Sequence, residues 1–236
     1  MLLALWSPKG GSGTSVLAAS CALVLARRAD GARLTDLAGD QPAIFALSGE
    51  PSTGVIDWLA AGPEAPADAL ERLTVPAAPG IALLPRGSAD RLLAPQPAAE
   101  AGAALAVALR DAPVPTIVDA GTAASPAARA LVEVADVSAV VLRGCYLALR
   151  RAVQSPLLAR AAGTVLVEEP GRTLGAAELT DVLDRPVLAR VPMRAAIARA
   201  VDAGVLAARL PDPLARSTAR LLTRLELLSD RRGEAA

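Results

Sequence analysis

Nine consecutive residues, Ser7-Pro8-Lys9-Gly10-Gly11-Ser12-Gly13-Thr14-Ser15, combine the residue types that bind an anion. Glycines have no Cβ, so successive backbone N–H groups can turn to one side and form a concave set of donors. Lys9 is the only lysine among 24 cationic residues, and it places a compact ammonium where arginine's planar fork is no substitute. Ser15 adds a hydroxyl, Asp119 closes the stretch Pro115 to Val118, and Asp36 and Asp40 follow the stretch Ala32 to Thr35. The chain contains no histidine, which removes the commonest general base and zinc ligand. Chemistry therefore falls to carboxylates, hydroxyls, Lys9 and backbone amides.

The elements that must position these groups follow from the flanks. Apolar Met1 to Trp6 precedes the glycines and apolar Val16 to Ala26 follows, which predicts a buried strand, a loop and a helix whose positive N-terminus faces the anion. Further strands are predicted at Ala32 to Thr35, Ile81 to Leu84, Pro115 to Val118, Ser138 to Leu142, Thr164 to Val167 and Pro186 to Val191. Helical patterns lie at Ser15 to Ala29, Val55 to Ala61, Pro97 to Arg110, Ser125 to Ala135, Leu147 to Ala161, Gly175 to Leu183 and Met193 to Ala203. This alternation predicts an α/β fold with a mostly parallel central sheet of about seven strands and helices on both faces. Ligands bind such sheets beyond the carboxyl ends of the strands, where residues 7–15 emerge. The region 49–97 is rich in proline, glycine and alanine but stays apolar, so residues 1–236 are expected to form a single domain.

Composition narrows the class. Hydrophobic residues make up 53% of the chain and aromatics 2%, so the core must be aliphatic. No uninterrupted apolar run reaches the ~18 residues needed to span a bilayer, and no basic region precedes the first apolar run as in a secretory signal. Cys21 and Cys145 have neither metal-ligand spacing nor a pairing pattern, which points to a reducing cytoplasm. Residues 185–236 carry 10 arginines and 5 acids, an excess too small to demand nucleic acid.

A standard phosphate loop reads G-x-x-x-x-G-K-[ST], with the lysine on the terminal phosphates and the hydroxyl on Mg²⁺. Here Pro8 stands at the first glycine, Gly13 at the last, Thr14 where the lysine belongs and Ser15 at the hydroxyl, while Lys9 has moved forward. The pattern resembles the deviant Walker A loop of the ParA/MinD family, K-G-G-x-G-K-[ST], without its second lysine. Thr35-Asp36-Leu37-Ala38 resembles that family's D-x-D switch with alanine at the second acid, and Thr116-Ile117-Val118-Asp119-Ala120-Gly121 resembles its Walker B strand and second switch. Ala135 to Leu142 resembles the next core strand, and Val191-Pro192-Met193 the closing strand and base-side loop.

The resemblance implies a P-loop NTPase-like domain that binds ATP or ADP through Lys9, Gly10, Gly11, Ser12, Gly13, Thr14, Ser15, Pro192 and Met193, with Mg²⁺ on Ser15 and Asp119. It implies catalytic roles for Lys9, which reaches a partner's nucleotide, for Asp36, and for Asp40 in place of the acid missing at Ala38. It also implies a nucleotide-dependent homodimer and a protein partner in partitioning, septum placement or assembly of a Tad-type pilus. Loss of the second lysine and of the acid at position 38 makes slow hydrolysis the expectation, with a pseudo-ATPase scaffold as the alternative. The amphipathic run Pro213 to Ser229, with Leu214, Leu221, Leu225 and Leu228 on one face and Arg216, Arg220 and Arg224 in a stripe, reads as a packed helix. DNA binding and peripheral contact with the inner membrane are the other readings of that helix.

Overall fold

The computed structural model describes residues 1–62, 65, 66, 68–88 and 94–233. Its centre is β1 (Leu2–Trp6), whose five residues are all buried because both faces of the strand are covered. Leu3 and Leu5 point into one apolar layer, Leu2, Ala4 and Trp6 into the other. β1 lies between β5 (Thr116–Asp119) and β6 (Val137–Arg143), both parallel to it. Outward on one side come β2 (Ala32–Asp36), β4 (Ile81–Leu84) and the antiparallel β3 (Val75–Ala78). On the other side come β7 (Gly163–Glu168) and β8 (Val187–Pro192). The sheet thus has eight strands rather than about seven. β3 is short, contains Pro76 and pairs irregularly, so its sequence reads as loop.

The first face carries α1 (Thr14–Ala26), α2 (Gln41–Ile44), α9 (Ala195–Asp202) and α10 (Asp212–Gly233). The second carries α3 (Val55–Ala61), α4 (Ala69–Leu73), α5 (Pro95–Arg110), α6 (Pro126–Val134), α7 (Tyr146–Val153) and α8 (Ala176–Leu183). The single helix predicted from Leu147 to Ala161 is instead α7 followed by a 3₁₀ turn at Pro156–Arg160, because a proline cannot donate into a continuing α-helical ladder. The backbones of α5 and α6 come into contact at Gly102, where a Cβ would lie 2.2 Å from the Ala127 carbonyl oxygen.

Helix α1 is apolar on nearly every side since it is sandwiched between the sheet and α10. The two helices also share a buried hydrogen bond of 2.8 Å between the Ser20 and Thr218 hydroxyls. Leu214, Leu221, Leu222 and Leu225 of α10 are buried in this layer, so the C-terminal helix is a packed one. Its Arg224 donates from Nη1 to the carbonyls of Val187 and Leu188 at 3.0 and 2.9 Å, on edge strand β8. Among the described residues no helix is long and apolar enough to cross a membrane. Both thiols are free, and burial pushes that of Cys21 up to about 12, which makes it inert packing.

Candidate functional site

The chain leaves β1 at the point where successive connections diverge to opposite halves of the sheet, the position at which open α/β sheets form a crevice. There Ser7 N donates to Gly121 O at 2.8 Å, which ties the loop to the segment after β5. The Ser7 and Ser12 hydroxyls both donate to Lys9 O, at 2.9 and 2.8 Å, so the loop wraps around that carbonyl. Gly13 turns the backbone into α1 at φ 84°, a left-handed geometry that any other residue adopts only with strain.

No side chain caps α1, and among the described residues the amides of Gly13, Thr14 and Ser15 donate to no acceptor in the chain. These residues line a cleft of about 860 Å³, and a Cβ at Gly10, Gly11 or Gly13 would meet nothing within 4 Å. The Thr14 hydroxyl is buried and also lacks a partner. Orphaned amides at a helix N-terminus beside an orphaned hydroxyl suit phosphate oxygens, so the residues present fit a nucleotide's phosphates. Lys9 is half-buried, donates from Nζ to Gly10 O at 3.3 Å, and is not among the residues lining the cleft.

Two carboxylates lie behind the loop. Asp36 and Asp119 are register partners on parallel β2 and β5, and both are fully buried. Asp36 Oδ1 accepts from the amides of Ala38 and Gly39 at 3.0 and 2.7 Å, and Oδ2 from that of Gln41 at 3.0 Å. Its carboxyl is committed to shaping its own loop. Burial pushes the Asp36 pKa up to about 7, and the charge of Asp119 adds to the rise, while the three amides oppose it. Burial likewise raises Asp119, countered chiefly by the Gln41 amide and then by nearby Ser15.

The structure brings Ser15, Asp40 and Asp119 together, and Asp36 lies beside Asp119 with both carboxyl oxygens taken by amides of its own loop. Ser15 Oγ donates to Asp40 Oδ2 at 3.0 Å, and Asp40 lines the cleft. Gln41, which no motif marks, is fully buried and donates from Nε2 both to Asp119 Oδ2 at 2.8 Å and to Ser15 O at 3.0 Å. It thereby joins β5 to the first turn of α1. Among the described residues no cluster of three or more metal-ligating side chains occurs. Mg²⁺ held by one or two side chains, phosphate and water needs no such cluster, and Ser15 with a carboxylate meets that need.

Pro192 ends β8, and Met193, half-exposed, anchors its amide to Glu168 O at 2.8 Å. Neither lines the cleft, whose described walls are formed instead by residues from α2, α3, the segment after β5, and Val201 and Asp202 of α9.

No protein-family model matches the sequence, and no curated protein matches it significantly. Solved structures do match. A MinD cell division protein from Aquifex aeolicus superposes with a TM-score of 0.76 at 17% identity, covering 95% of this chain and 96% of its own. A ParA family ATPase from Chlorobium tepidum TLS gives 0.73 at 20% identity, over 92% and 95% of the two chains. The septum site-determining protein MinD from Pyrococcus horikoshii OT3, complexed with Mg-ADP, gives 0.74 at 16% identity, over 97% and 96%. The structural neighbours are thus ParA- and MinD-family ATPases, and at these identities the likeness is one of fold.

Proposed function

We propose that this chain is an ATP-binding positioning switch of the ParA/MinD type that works as a nucleotide-dependent homodimer and hydrolyses ATP slowly. The observation that carries this reading is the unsatisfied donor set of Gly13, Thr14 and Ser15 at the N-terminus of α1, backed by the Ser15–Asp40 and Gln41–Asp119 contacts. Backbone amides of residues 10–15 bind and orient the phosphates. Ser15 and Asp119 would hold Mg²⁺, which would supply charge neutralisation to the bound phosphates.

Thr14 donates one hydrogen bond without a positive charge, so a charge-assisted contact of ~1.5–3 kcal/mol is missing. Ala38 offers no carboxylate, and Asp36 is spent on three amides, which leaves Asp40 as the acid able to orient a water beside Ser15. These features support weak turnover, and they equally favour a second reading, a scaffold that uses the fold without hydrolysis. Lys9, outside the cleft wall, is free to serve the nucleotide of a second copy. The cellular role we favour is localisation of a pilus assembly, partitioning or division apparatus through a protein partner.

Calorimetric titration with MgATP and MgADP tests the reading. Binding, together with ATP-dependent dimerisation that Lys9→Ala abolishes, is the expected result. Absence of heat at millimolar nucleotide would leave only the scaffold.

A further inference from the structure

Arg143, the last residue of β6, reaches across to the glycine loop. Its Nη1 donates to Gly11 O at 3.2 Å, and its Nη2 lies 2.7 Å from Glu169 Oε2 and 3.9 Å from the Met193 sulfur. Arg172 Nε shares the same Glu169 oxygen at 2.8 Å. Among the described residues Arg143 is the one side chain from outside the loop that bonds to the backbone of Gly10 to Gly13; the other side-chain bonds to residues 9–13 come from Ser7, Lys9 and Ser12.

Such a loop needs an external tether. Gly11 and Gly13 both adopt left-handed backbone, and three glycines in four residues give the loop many alternative conformations to lose on binding. A site with fixed donors forfeits less entropy when the ligand arrives. The Arg143 fork grips the loop with one arm and a carboxylate with the other, and that carboxylate is held by a second arginine on the segment after β7. Two guanidiniums around one carboxylate leave the cluster net positive beside a loop whose own cation position is Thr14.

We propose that Arg143 is the positioning residue of the phosphate loop: it fixes the loop at Gly11, is itself fixed by Glu169 and Arg172, and thereby preorganises the anion site. The proposal rests on reading that loop as a phosphate site. Backbone ¹⁵N order parameters of residues 9–15 in the ligand-free protein test the tether, and titration with MgATP and with tripolyphosphate tests its use.

Arg143→Ala is expected to lower the loop order parameters to the flexible range, below about 0.6, and to weaken both ligands by about tenfold, the scale of one charge-assisted contact. Arg143→Lys keeps the charge but cannot grip Gly11 and Glu169 together, so it should recover only part of the affinity. Glu169→Gln leaves Arg143 intact but unbraced and should give intermediate order parameters. It also serves if Arg143→Ala fails to fold.

Unchanged loop order parameters in Arg143→Ala overturn the proposal whether or not the protein binds nucleotide. Lower order parameters with unchanged affinity also overturn it, as does full rescue by lysine. If the order parameters respond but the wild-type chain binds neither ligand, the tether stands and the phosphate reading falls.

Discussion

At the scale of single residues, Asp36 makes folding depend on pH in an unusual direction. Its pKa rises from 3.8 to about 7 on folding, so between those values the folded chain binds the proton that the unfolded chain releases. The stabilising contribution is complete below pH 3.8 and is lost as pH rises through about 7. Urea unfolding across that window should report a falling contribution from this site, and Asp36→Asn should flatten the dependence. Thr14→Lys is the companion experiment on the loop: restoring a cation should tighten MgATP by about tenfold, the worth of a charge-assisted hydrogen bond. A titration unchanged by that substitution would mean that loop geometry limits binding, rather than the missing charge. Lys9 was selected by type and stands outside the cleft wall, whereas the glycines, Ser15 and the acid-terminated strands around the cleft were legible in residue type and spacing. Gln41 and Arg143 were not, since their partners lie 78 and 132 residues away and only strand order brings them near.

At the scale of elements, the α5–α6 contact depends on a residue that weakens its own helix. Gly102 sits in the interior of α5, where glycine costs about 1 kcal/mol relative to alanine, and it lets the backbone of Ala127 approach. Gly102→Val should therefore destabilise by ~1–3 kcal/mol through overpacking, read as a lower denaturation midpoint with an unchanged slope. Short aliphatic stretches bounded by turn residues located seven strands to within a residue or two, most plainly β1, whose five residues are apolar because both its faces are covered. The elements missed were β3, with its internal proline, and α2 and α4, too short for a helical period to register. Pro156 shortened α7 where alanine and leucine spacing alone favoured continuation.

At the scale of the whole molecule, α10 completes the apolar layer that buries α1, so it is part of the domain's core. Leu221 is fully buried, and Leu221→Ala should cost ~2–5 kcal/mol by chemical denaturation. The apolar face that would otherwise suit a bilayer is occupied, leaving Leu227 as the exposed leucine of the helix. The two flanks of the sheet are treated with similar economy. β3 ends one flank with a proline and a register shift, and at the other Arg224 occupies carbonyls of β8. A strand from another molecule would find neither flank a regular ladder to extend. Strand-to-strand addition of copies, the open-ended route by which sheets propagate into fibres, is thereby obstructed at both flanks.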